Sequence, residues 1–114
     1  MAMPAESGFS VVTFAAGGRG AEIEVSPARS GTNTVTIHLF DAAERPLPAQ
    51  QVTIELSQPA AGVEPMEHRL TAESPGLYRW ANAPMPLAGK WKIQLLVLIS
   101  DFEEIRFETL VPLR

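Results

Sequence analysis

The feature that most constrains this chain is a hydrophobic period of two that recurs almost from end to end. Val35, Ile37 and Leu39 alternate with Thr34, Thr36, His38 and Phe40, and Val52, Ile54 and Leu56 alternate with Thr53, Glu55 and Ser57. Ile23 and Val25 are set against Glu22 and Glu24 in the same way. Such alternation marks a strand with one dry and one wet face, and the β-branched and aromatic enrichment agrees with it. Turn signals separate the runs: Gly17-Gly18-Arg19-Gly20, Ser26-Pro27 to Gly31, Arg45-Pro46-Leu47-Pro48, Pro59 to Gly62, Ser74-Pro75-Gly76, Pro84-Met85-Pro86 and Gly89. Strands are expected over 9–16, 21–26, 33–41, 51–58, 64–72, 77–83, 90–99 and 103–112. No stretch of helical length keeps a helical stripe, and helix is expected only as a single turn around Asp101–Glu104.

Strands that are wet on one side must bring their dry sides together. The expected fold is therefore all-β, an immunoglobulin-like antiparallel β-sandwich of seven to eight strands in a single domain, with 1–8 as a flexible arm. A chain of 114 residues suits one such domain. Trp91, opening its strand after a tight turn at Gly89, is the candidate central core aromatic.

Composition removes several classes of function. There is no cysteine, which excludes a disulfide framework, a thiolate zinc site, a redox pair and a thiol nucleophile. Nine basic residues are scattered among thirteen acidic ones, for a net charge of −4, which is not a nucleic-acid footprint. The longest apolar run, Leu95 to Ile99, is far short of the ~20 residues of a spanning helix. Met1 to Ser10 lacks the basic start of a signal peptide, so the chain reads as a mature or excised soluble piece.

Only two histidines exist, His38 on a polar strand face and His68 on the strand 64–72, and no nucleophile motif accompanies them. A non-enzymatic role is expected. The acidic stretch Asp101-Phe102-Glu103-Glu104 is too compact for the spaced oxygens of a calcium site and reads as a solvated turn or recognition surface. Met66 and His68, two apart, fall on one face of a strand. Thioether and imidazole together suit copper, the thioether selecting Cu(I). Met85, between two prolines, is expected in an exposed loop where it can assist them. The competing reading makes Met66 a gap-filler and His68 a rim residue.

One strand breaks the alternation. Leu95 to Ile99 is apolar on both faces, so its second face is either covered by a loop or the strand 9–16, or left open for docking. Leu96, Leu98, Asp101, Phe102 and Glu103 are the candidate partner-binding residues.

Several segments resemble a known family. Ala21–Arg29 with Asn33-Thr34-Val35, Asp41 with Arg45-Pro46-Leu47, Pro75 to Arg79, Pro86 to Trp91 and Val97 to Glu103 are similar to the soluble, YtkA-like domain that ends bacterial copper-resistance D-type membrane proteins. The likeness runs through about residues 9–112. It implies a periplasmic or other extracytoplasmic module, attached to or excised from a membrane protein, whose partner is a membrane copper-transport domain or a copper carrier. It supplies no ligand set: the related C-type carriers use an N-terminal histidine and a methionine-rich stretch, and neither occurs here. Copper, if bound, is expected at Met66 and His68 on local chemistry alone. The alternative expectation is a structural or adhesive immunoglobulin-like module with no metal role.

Overall fold

A computed structural model describes residues 8–114. The expected arm lies outside the described residues except for Gly8, which leads directly into the first strand. Eight strands follow: β1 Phe9–Phe14, β2 Gly20–Ser26, β3 Gly31–Phe40, β4 Gln51–Gln58, β5 Val63–Ser74, β6 Leu77–Met85, β7 Gly89–Ser100 and β8 Glu103–Leu113. All pairings are antiparallel, in the order β1-β2-β3-β6-β5-β4-β7-β8.

β5 turns this one continuous sheet into two layers. Its first part, from Val63 to Leu70, pairs with β4, and its last part, from Thr71 to Ser74, pairs with β6. A shift in register between Ala72 and Ser74 bends it where it passes from one layer to the other. The sheet folds over on itself, and β1 approaches β8 so that the whole nearly closes as a barrel. This is the all-β architecture that the alternation requires, and it is compatible with an immunoglobulin-like sandwich.

The dry faces meet as predicted. Ile23 and Val25 of β2, Val35, Ile37 and Leu39 of β3, Val52, Ile54 and Leu56 of β4, and Ile93, Leu95 and Val97 of β7 are all buried in one core. Trp91 is fully buried there, and its indole N–H donates to the Leu87 carbonyl at 2.9 Å, which satisfies the one polar atom it carries inward. Gly89 has φ +113, and a Cβ there would lie 2.6 Å from the Gln58 side-chain nitrogen. That nitrogen bonds to the Ala88 carbonyl at 2.9 Å, so the turn before β7 needs glycine both for its conformation and for this close approach.

Three local expectations are corrected. The first strand stops at Phe14 because a 3-10 turn, Ala16–Gly18, follows, with Gly17 and Gly18 both at positive φ. No helical turn forms at Asp101–Glu104. β7 and β8 join through a tight hairpin instead, with the Phe102 N–H donating to the Ser100 hydroxyl at 3.2 Å. Met85 is not in a loop, because β6 runs through Pro84 as far as Met85.

The loop between β2 and β3 is held by polar contacts and in turn holds Arg114. Asn33 is buried, accepts from the Ala28 N–H at 2.8 Å and donates to the Arg29 carbonyl at 2.9 Å. Arg114 exchanges backbone hydrogen bonds with the same loop, to Ser30 at 2.8 Å and Ala28 at 3.1 Å.

Candidate functional site

Met66 and His68 stand on the face of β5 that also carries buried Leu70, as their spacing predicts. Their partners across the ladder, Leu56 and Ile54, belong to the core. Met66 packs half-buried against that core, whereas His68 is exposed. His68 escapes burial because the β5–β6 ladder is confined to Thr71–Ser74 against Leu77–Arg79, so the two strands are unpaired at the level of His68. Trp80 of β6 fills the opening. The imidazole stacks on its indole with ring centroids 4.1 Å apart and planes within 6° of parallel. Sequence reasoning missed Trp80, since the contact joins residues brought together only by the passage of β5 between layers.

Met85 does not join them from an exposed loop. It is fully buried in the core, on the same inward parity as Ala83. The prolines on either side read as loop residues in the sequence, yet Pro84 sits near the end of β6 opposite Thr32, and the strand tolerates it there. His38 is also remote in kind. It lies on the outward face of β3, while His68 lies on the inward face of β5, so the two histidines share no site. Among the described residues no group of three or more His, Asp or Glu side chains is placed to hold a metal ion, the acidic hairpin included.

The candidate docking residues divide between two places. Leu96 and Leu98 are half-buried on the outward face of β7, whose inward face carries Trp91, Ile93, Leu95 and Val97. Strand β1 does not cover them, because it pairs with β2 in the other layer. In register beside them stand Thr53 and Gln51 of β4 and Arg106 and Glu104 of β8, polar neighbours that shade two leucines without hiding them. Phe102, at the hairpin tip, is 96% exposed beside exposed Asp101. Glu103 forms an ion pair with Arg19, which links the β7–β8 hairpin to the turn after β1.

A third place was not foreseen. On the outward face of the other layer a shallow, open cleft of about 590 Å³ lies between the β1–β2 hairpin, the loop after β3 and the β5–β6 turn. Phe14, Glu22, His38, Phe40 and Leu77 line it. Asp41 shapes its rim by accepting the Ala43 and Arg45 N–H groups at 2.9 and 3.0 Å. The Arg45 N–H is the main reason the Asp41 carboxyl is held below its ordinary value; partial desolvation opposes it, and the Ala43 N–H and the Arg45 charge add to it.

The fold and these surfaces define an all-β domain whose chemistry-bearing side chains lie on faces and edges. No helix among the described residues is long and apolar enough to cross a membrane. The YtkA-like family matches residues 16–96, well over half of the chain, and the chain belongs to that family, a non-catalytic kind of β-domain. The matched stretch includes β2 to β6, with Met66, His68 and Trp80, and ends at Leu96, before the acidic hairpin. No curated protein and no solved structure gives a significant match.

Proposed function

We propose that the chain is a non-enzymatic extracytoplasmic module of a copper transport or resistance system, which docks to a membrane copper-transport domain or a copper carrier and makes a weak copper contact through Met66 and His68. Family membership and the likeness to the end domain of copper-resistance D-type proteins support the setting. The observation that carries the metal part is the shared face of Met66 and His68 on β5, with the imidazole exposed at the opening between strands. A thioether and an imidazole suit Cu(I) and leave the ion loosely held. A third ligand must come from a carboxylate or from another chain, because Met85 is in the core. A sparse site of this kind suits transfer, which requires release.

Trp80, stacked on His68, provides the readout. Titration of the full chain with Cu(I) under anaerobic conditions is expected to quench its fluorescence with a Kd between ~1 and ~100 μM, equivalent to about −8 to −5.5 kcal/mol. The double variant Met66→Ala, His68→Ala is expected to weaken binding at least ~10-fold. No binding tighter than ~100 μM, or binding unchanged in that variant, removes the metal role.

The half-buried pair Leu96 and Leu98 on the outward face of β7 favours a second reading, a structural or adhesive module that packs against a neighbour without metal. It expects copper to leave both melting temperature and oligomeric state unchanged.

A further inference from the structure

The cleft on the β1–β2–β3–β6 layer combines features that the copper reading does not use. Strand register aligns Val12, Glu22, His38 and Leu77 in one row across four strands. The adjacent row is Phe14, Gly20 and Phe40. Gly20 is what permits that second row: a Cβ there would lie 2.3 Å from the tip of the Phe40 ring and 3.2 Å from Phe14. The two rings therefore lean together over bare backbone, edge to face, with centroids 6.0 Å apart. Yet Phe14 remains 66% exposed and Val12 46% exposed. An open apolar shelf of this kind on a strand face is costly to leave to water.

The walls are one-signed. Glu22, Asp41 and Glu44 line the cleft together with His38, and neither Lys nor Arg is among its lining residues. Arg45 stands near Asp41 at 3.9 Å, but Glu22 and Glu44 have no ion-pair partner among the described residues. The nearby cations Arg19 and Arg79 are engaged by Glu103 and Glu73. The floor is fixed in place. Gly76 at φ +77 packs where a Cβ would come within 2.8 Å of the Leu39 carbonyl, and its own carbonyl accepts the Leu39 N–H at 2.8 Å.

We propose that this cleft is a docking site for a protein segment that presents a bulky apolar side chain flanked by lysine or arginine. The apolar side chain rests on Phe14 and Phe40, and the flanking cations meet Glu22 and Glu44. The charge selects this occupant. A second copy of the chain would bring the same acidic face and a net charge of −4, and an anionic lipid surface would be repelled. The cleft lies on the opposite layer from Leu96 and on a different face from His68, so the proposal stands or falls independently of the copper reading.

The test is an amide-shift NMR titration of the isotope-labelled full chain with two capped tetrapeptides, Lys-Leu-Phe-Lys and Glu-Leu-Phe-Glu. The basic peptide is expected to shift Phe14, Glu22, His38, Phe40 and Leu77, and the acidic one to bind at least ~5-fold more weakly. Phe14→Ala, at an exposed position, is expected to weaken the basic peptide at least ~10-fold without moving the thermal midpoint. Joint Glu22→Gln and Glu44→Gln replacement is expected to reduce the preference between peptides to under ~2-fold. Any of three results overturns the proposal: no shifts up to ~5 mM basic peptide, equal affinity for both peptides, or shifts centred on β7. Concentration-dependent dimerisation abolished by Phe14→Ala overturns it in favour of a second copy, and equal binding of anionic vesicles overturns it in favour of a lipid surface.

Discussion

Met85 and Met66 carry the same thioether and end in opposite circumstances. Met85 continues the inward parity of β6 and is fully buried, so Met85→Ala is expected to cost ~2–5 kcal/mol in urea unfolding while leaving copper affinity unchanged. A loss of copper affinity in a folded Met85→Ala protein would return this residue to the metal site. Asp41 gives a pH signature at the same scale. Its carboxyl is lowered from 3.8, so the folded form is favoured above that value, and the contribution disappears as pH falls through the still lower folded value. The loop 41–45 is therefore expected to keep its amide shifts down to pH ~4 and to loosen only below it, and Asp41→Asn is expected to remove that acid transition. A transition centred above pH ~4, or one that persists in Asp41→Asn, would show that the Asp41 carboxylate is not what holds this loop.

At the scale of elements, β7 distinguishes core from surface within two residues. Leu95 is fully buried and Leu96 is half-buried on the other face. Leu95→Lys places an unpaired charge in the core and is expected to unfold the domain. Leu96→Lys is expected to cost only about 1 kcal/mol in denaturant unfolding and to disrupt docking if the outward face is used. Equal destabilisation by the two would mean that the outward face is covered after all. The β5–β6 turn offers another case. Gly76→Ala sets a Cβ against the Leu39 carbonyl and Leu47 N–H at positive φ, and a loss of at least ~2 kcal/mol is expected from calorimetry. Gly62, also at positive φ, faces open space, so Gly62→Ala is expected to cost less, about 1 kcal/mol.

For the whole molecule, closure depends on distant partners. β3 finds β6, β4 finds β7, and β1 approaches β8 across nearly the full length of the chain. Loop closure must precede the contacts that reward it, so stopped-flow folding followed by tryptophan fluorescence is expected on the ms-to-s scale. The Arg19–Glu103 pair at the β1–β8 seam is partly exposed, and Arg19→Ala is expected to cost at most ~1 kcal/mol.

The alternation of Val35, Ile37 and Leu39, and of Val52, Ile54 and Leu56, was enough to give strands, faces and a two-layer core, because side-chain parity is a local property that each strand carries by itself. The shared face of Met66 and His68 was legible for the same reason. Proline punctuation misled at Met85, where strand pairing with Gly31 and Thr32 overrode a local turn signal. Trp80 against His68, Glu22 beside His38 and Phe14 against Phe40 over Gly20 had no signature in the chain, since each joins different strands. Which strands lie side by side, and at what offset, depends on how the faces pack across the core. Period two therefore determined what each ribbon would bury, and only the folded sheet decided which side chains would meet.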